Sequence, residues 1–201
     1  MGRKIILSLV LTYCFWSLNS QELPPIINYS AEVYGANNQN WMLSQGPNSE
    51  IYAANNDGLL RFNGSRWSLF PTPNQSVMRS VNVIDSRIYT GFYMDFGYWL
   101  NNGKGGLDYT SVMEELQIKP IEDEQFWQIF SFDKWLVAQS LQRLIMIDLE
   151  SLNTVIIKAE QNLSRAFVVN GQLYFHDLNI GLYTVQNGHK KLVSNAPEAL
   201  N

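Results

Sequence analysis

Cysteine is almost missing. The 201 residues contain one, Cys14, in an apolar stretch near the start. A chain processed beyond that stretch has no disulfide, no thiolate nucleophile and no thiolate metal ligand. Histidine is nearly as scarce. His176 and His189 lack the clustered Cys, His or Asp that a metal cage needs, so no metal and no cofactor is expected. His176-Asp177 could orient a base, but no nucleophile is identifiable, and no catalytic residue is assigned. Charge is sparse too, at 16% of residues with a net of −4. That leaves no basic footprint for nucleic acid and no like-charge tail. Helical periodicity is confined to one short candidate, Ser111 to Gln117.

The N-terminus stands apart. Met1-Gly2-Arg3-Lys4 is basic, Ile5 to Leu18 is almost wholly apolar, and Asn19-Ser20-Gln21-Glu22 is polar. This order is that of a secretory signal peptide. The apolar stretch is 14 residues long, short of the roughly 20 that span a bilayer. Residues 1–20 are therefore expected to be a signal segment cut after Ser20. The chain would be exported to the periplasm, or held at the periplasmic face of the inner membrane if the segment stays uncut. This segment is its only expected contact with a membrane.

What fills the rest is a repeat. Gly58-Leu59-Leu60-Arg61-Phe62-Asn63-Gly64 runs from a glycine through large apolar residues into an Asn-Gly turn. Gly97 to Gly103 and Gly181 to Gly188 follow the same order, and Arg143 to Asp148 fits without the glycine. Gly58 to Gly97 is 39 residues, Gly97 to Arg143 is 46, and Arg143 to Gly181 is 38. A period of about 40 with only strands inside implies four-stranded blades. Two strand-like runs precede each copy, for example Trp41–Ser44 then Ile51–Ala54. One follows it, for example Trp67–Phe70. The first two strands of a blade meet at Asp85-Ser86, Asp133-Lys134 and Asn170-Gly171, residue types that tolerate the positive φ of a tight hairpin.

The expected fold is all-β, a β-propeller of about four four-stranded antiparallel blades. Residues 21–39 lead into the first blade. Blades fall at about 40–73, 78–112, 125–159 and 163–193, and the residues to 201 begin a further one. Four blades without a closing strand imply an incomplete, open propeller, in which one face of the first blade and one of the fourth have no neighbour. Further blades or a second subunit are the partners that would cover them.

Candidate sites are few. Gly103-Lys104-Gly105-Gly106 lacks P-loop spacing and reads as a flexible hairpin loop. Glu122-Asp123-Glu124 offers carboxylates beside Phe126-Trp127, but neighbours on an extended chain point apart, so this run reads as a solvated loop. Most aromatics fall at repeat-equivalent strand positions and read as packing between blades. The exception is Tyr93, Met94, Asp95 and Phe96, read as an enlarged loop between the second and third strands of the second blade. Asn55, Asn56 and Asp57 occupy the matching loop of the first blade, and Asp177 and Asn179 that of the fourth. Loops on a rigid scaffold carry function. A shared ligand or partner face is therefore expected at Asn55, Asn56, Asp57, Tyr93, Asp95, Phe96, Asp177 and Asn179, taking a small molecule or an oligosaccharide.

The strings "NQNWMLSQGPNSEIYAANNDGLLRFNGSRWSLFP", "GFYMDFGYW", "DEQFWQI" and "GLYTVQNG" resemble the two-component regulator propellers of Bacteroidetes sensor proteins. The likeness runs from about Leu23 to Val193. It is strongest to the subgroup that continues into an immunoglobulin-like domain, a membrane helix, a coiled coil and a LuxR-type helix-turn-helix. The resemblance implies a non-enzymatic periplasmic sensor for a ligand, often sugar-derived in relatives, without its output domain in these residues. The alternatives are an exported propeller enzyme acting on carbohydrate and a truncated fragment without independent function.

Overall fold

The structure, a computed structural model, describes residues 25–196. The expected signal segment, with Cys14, lies outside the described residues. A one-turn helix, α1 (Ala31–Tyr34), precedes sixteen strands in four antiparallel sheets. Blade 1 comprises β1 (Asn40–Gln45), β2 (Ile51–Asn55), β3 (Gly58–Phe62) and β4 (Trp67–Phe70). Blade 2 comprises β5 (Ser80–Ile84), β6 (Arg87–Phe92), β7 (Asp95–Asn101) and β8 (Leu107–Ser111), followed by a one-turn helix, α2 (Val112–Glu115). Blade 3 comprises β9 (Gln128–Phe132), β10 (Trp135–Gln139), β11 (Arg143–Asp148) and β12 (Thr154–Lys158). Blade 4 comprises β13 (Leu163–Val169), β14 (Gln172–Asp177), β15 (Gly181–Gln186) and β16 (His189–Ser194). Every sheet pairs its strands in chain order. The fold is an all-β propeller of four blades.

The turns follow from local chemistry. Asp85, Asp133 and Asn170 each sit at positive φ, at 54°, 51° and 49°. Their short polar side chains tolerate the left-handed region, and each starts a two-residue hairpin. At Gly97 the reason for glycine is space. A Cβ there would lie 2.1 Å from the Thr110 carbonyl oxygen of β8. Gly58 combines both constraints, with φ +135° and a Cβ position 2.3 Å from the Phe70 carbonyl oxygen.

First strands line the inside of the arc: β1 lies against β5 and β5 against β9, and the Val83 N–H donates to Ser44 Oγ at 2.9 Å. Three apolar cores fill the spaces between successive blades. Ala54, Leu59, Val81 and Trp99 join blades 1 and 2. Tyr89, Phe96, Ile129 and Ile145 join blades 2 and 3. Val137, Leu144, Leu173 and Phe175 join blades 3 and 4. Strand β11, inside the arc, is buried at all six positions. Strand β13, at the end, is buried only at Leu163 and Ala166. Phe167, Tyr174 and Leu182 lie on the far side of blade 4, opposite Phe175 and Tyr183.

The far side of blade 1 is only partly open. Tyr29 packs on Phe62 and Trp67, with ring centroids 5.2 and 5.5 Å away, and Tyr34 lies 5.8 Å from Trp67. The segment carrying α1 thus lies over β3 and β4, and Ala53 and Leu60 beneath it are buried. The expectation of a wholly uncovered first blade is corrected: only its inner strand, with Trp41 and Leu43, remains exposed.

Two other expectations are revised. The loop at Tyr93 to Phe96 is not enlarged. Phe92 pairs with Asp95 across a two-residue turn, so the hairpin is extended instead. Glu124 is not solvated but fully buried. Its carboxylate accepts from Arg143 Nε at 2.8 Å, Arg143 Nη2 at 2.6 Å and Ser140 Oγ at 2.7 Å.

Candidate functional site

One end of the arc gathers the starts of the inner strands, the turns between second and third strands, and the linkers between blades. All eight residues singled out in the sequence lie here, in three separate groups.

In blade 1, Asn55 is fully buried. Its Nδ2 donates to the Asn37 carbonyl at 2.6 Å and to Asn40 Oδ1 at 2.8 Å, and its Oδ1 accepts from the Asp57 N–H at 3.0 Å. Asp57 is exposed and accepts from the Asn37 N–H at 2.7 Å. Asn56 accepts from Trp41 Nε1 at 2.8 Å. In blade 4, Asp177 is fully buried and accepts from the backbone N–H groups of Glu160 and Gln161 at 2.6 and 3.0 Å. Gln139 of blade 3 accepts from the Ala166 N–H at 2.8 Å. Asn55, Gln139 and Asp177 each end a second strand; Asn55 and Asp177 clamp chain leading into a blade, and Gln139 holds strand β13 of the next blade. Their polarity satisfies backbone groups that would otherwise be buried without partners. Asn179 is exposed in its turn at φ 61°. It and Asp177 lie apart from the other two groups.

Blade 2 supplies a concave surface. Asp95 accepts from Tyr109 Oη at 3.0 Å and Ser111 Oγ at 2.7 Å. Burial raises its carboxyl above the ordinary range, against hydrogen bonds from Ser111, Tyr109 and the Phe96 N–H; nearby Glu114 adds to the rise. Burial also holds the Tyr109 phenol far above its ordinary value, so it remains a donor. Tyr93 donates to Asp123 Oδ1 at 2.8 Å. Phe96 is buried against Phe126, 4.7 Å between centroids, and belongs to the core. Asp95 borders a cleft of ≈ 660 Å³ with Asn74, Phe92, Met94, Met113 and Lys119. Its size and its apolar floor with a few polar groups match the usual ligand pocket.

Sequence reasoning missed a second feature. The Arg79 guanidinium lies 4.1 Å from the Trp41 ring and 4.6 Å from the Trp127 ring, and the two indoles meet edge to face at 5.9 Å. Arg79 Nε donates to Gln125 Oε1 at 2.9 Å. Burial lowers the arginine pKa. Residues from the starts of three blades therefore meet at the inner edge. The one legible signal was positional: Arg79 immediately precedes the inner strand of blade 2.

Ser164 Oγ lies 3.0 Å from His176 Nδ1, but His176 Nε2 is buried without a partner, so no acid orients the ring as a catalytic triad requires. Among the described residues no group of three His, Cys, Asp or Glu is placed to hold a metal. No helix among them is long and apolar enough to cross a membrane.

No family model and no curated protein matches the chain. Solved structures do. An extracellular domain assigned to a hybrid two-component system from B. thetaiotaomicron aligns with a TM-score of 0.61 at 15% identity, over 85% of this chain and 23% of that one. A second structure of such a domain, assigned to a one-component system, gives 0.58 at 14% identity, over 76% and 21%. This chain thus spans less than a quarter of the length of those proteins. The computationally designed Ika8 protein gives 0.55 at 9% identity, over 78% of this chain and 48% of that one. The designed Ika4 protein gives 0.52 at 11% identity, over 83% and 98%. At these identities the likeness is one of fold.

Proposed function

We propose that the chain is a ligand-sensing propeller of an exported signalling protein. Its ligand face is the end of the arc that holds the Asp95 cleft and the Trp41–Arg79–Trp127 cluster. The observation that carries this reading is the cleft. It lies on the face the sequence singled out, in a fold similar to extracellular domains assigned to signalling systems. Its apolar floor suits the flat face of a sugar ring or a small amphipathic molecule. Asn74 and Lys119 at its border are donors for hydroxyl or carboxylate groups. Binding here alters contacts with a neighbouring domain or subunit, which is how the signal leaves the propeller. Residues 1–20 direct export to the periplasm.

Two measurements test the proposal. Residues 1–25 fused to a reporter active only outside the cytoplasm should give signal, and a silent cytoplasmic reporter would sink the export reading. The purified chain is then screened against neutral and acidic oligosaccharides by thermal shift, with Met94→Asp as the control. A ligand whose shift survives Met94→Asp does not use this cleft, and the site assignment fails.

A further inference from the structure

We infer that the cavity between blades 1 and 2, at the end of the arc opposite the Asp95 cleft, is a second binding site, for a small zwitterion of the α-amino acid type: Arg61 takes its carboxylate, and Glu50 and Asp85 take its ammonium.

The cavity holds ≈ 180 Å³. It lies among the turn from β1 to β2, the turn from β5 to β6 and the strand ends that flank the β7–β8 hairpin. Blade 1 contributes Glu50 and Arg61 to its wall, and blade 2 contributes Asp85. Arg61, on β3, is a buried cation without a counterion. It is 8% exposed, and among the described residues it is in no ion pair. Its Nη2 donates to the Gly105 carbonyl at 3.0 Å, its guanidinium lies 5.2 Å from the Phe70 ring, and its Nε is buried without a partner. Arg143 shows how the same fold satisfies a buried guanidinium, with two bonds to Glu124 and one to the Lys119 carbonyl. A buried charge is costly until an anion and hydrogen bonds compensate it. The glycine-rich loop Gly103 to Gly106 takes its meaning here. Its Lys104 and Gly106 N–H groups are held by Asn102 Oδ1, each at 3.0 Å. What it offers Arg61 is a carbonyl, which orients the guanidinium.

The walls decide which anion fits. Glu50 and Asp85 border the same cavity, so a bare phosphate or sulfate meets two carboxylates and is repelled. A molecule that carries both charges satisfies the guanidinium and the carboxylates together. Tyr52 Oη donates to Glu50 Oε2 at 2.8 Å and fixes that carboxylate. Burial, and then the bond to Glu50, raises the Tyr52 phenol above its ordinary value, so the hydroxyl remains the donor. Val83, Ile88 and Leu107 supply an apolar wall for a short side chain. The volume is below the about 300–1,000 Å³ of ordinary ligand pockets, which excludes an oligosaccharide. Because the wall belongs to two blades, a bound zwitterion ties them together and stabilises the fold by mass action.

The test is calorimetric titration and thermal shift of the purified full chain with L-alanine and L-serine, and with acetate and methylammonium as the two halves. One-site binding of at least one amino acid is expected, at least about tenfold tighter than either half, the scale of one charged hydrogen bond. Arg61→Met keeps the side-chain stem and removes the charge. It should weaken amino acid binding at least about tenfold, with circular dichroism unchanged. Asp85→Asn guards against a folding defect, because Asp85 is exposed and asparagine tolerates its φ of 54°. It should weaken the amino acid and leave acetate as weak as before or tighter. Met94→Asp, in the cleft at the other end, should leave amino acid binding unchanged. Failure of both amino acids to bind overturns the inference, as does acetate binding as tightly as alanine. So does binding that survives Arg61→Met and Asp85→Asn, or that is lost in Met94→Asp.

Discussion

Arg143 grips Glu124 through two nitrogens, at 2.8 and 2.6 Å, with both side chains buried. The same arginine donates to the Lys119 carbonyl at 2.8 Å. The pair fastens the long linker between blades 2 and 3 to the third strand of blade 3. Removing one partner strands the other charge without solvent. Glu124→Gln is expected to cost about 3 kcal/mol or more in urea unfolding. Replacing both with methionine should cost much less than the two single changes added together, because no charge is then left buried. A strictly additive double variant would contradict this account.

Gly97→Ala tests the approach of strands β7 and β8. The new Cβ would collide with the Thr110 carbonyl and the Tyr109 ring, and Tyr109 is a partner of Asp95. A loss of about 2–3 kcal/mol is expected, the scale of overpacking. Gly103→Ala, with φ +73° and open space around it, should cost about 1 kcal/mol, from backbone strain alone. Equal losses would mean that contact with β8 is not what demands glycine at 97.

Two carboxyls give stability opposite pH dependences. Asp95 has a raised value in the folded state, chiefly through burial. Its contribution is full below the unfolded value of 3.8 and is lost as pH rises through the folded value. Asp148 is held at about 2, first by the hydrogen bond from Lys134 and then by the Ser151 N–H. Its contribution is present above 3.8 and is lost as pH falls toward 2. Asp95→Asn should therefore gain stability relative to the parent as pH rises above 3.8. Lys134→Met should lose stability relative to the parent as pH rises from about 2 to 3.8. Denaturant titrations at stepped pH measure both, and a pH-independent difference for Asp95→Asn would refute the assignment.

Arg79 between two indoles makes a measurable cycle. Each cation–π contact is worth about 0.5–2 kcal/mol. Arg79→Met should destabilise the chain by about 1–2 kcal/mol and alter tryptophan fluorescence. Paired with Trp127→Leu in a double-mutant cycle, it should show coupling of about 1 kcal/mol. Zero coupling would reduce the cluster to incidental proximity.

The fold was legible because its signals are local. Asn170-Gly171, Asp85 and Asp133 declare their hairpins within two residues, and strand alternation does the rest. Register was harder. Gly97 was matched to Gly58, yet Gly58 pairs with Asn55 at the turn, whereas Gly97 pairs with Thr90, two residues farther from its own turn. Composition cannot show that one hairpin is longer. The candidate loops share one end of the arc, but Asn55 and Asp177 prove to be linker clamps, because a buried polar side chain and an exposed one look alike in sequence. Glu124 read as solvated because its partner is 19 positions away. Trp41, Arg79 and Trp127 belong to three blades and meet only once the arc is built.

Each ladder of this propeller is woven from consecutive chain, with β1 to β4, β5 to β8, β9 to β12 and β13 to β16 each making a complete sheet. Among the described residues no sheet borrows a strand from a distant part of the sequence. Cutting the chain between blades would therefore sever side-chain contacts, linker clamps and the isolated Tyr93–Gln125 bridge, but no pairing within a sheet. Sheets can form in order as the chain emerges, each templating the next, with little entropy spent on distant closure. A gene that duplicates or deletes one such segment of about 40 residues changes the size of the arc without rewriting any sheet already made.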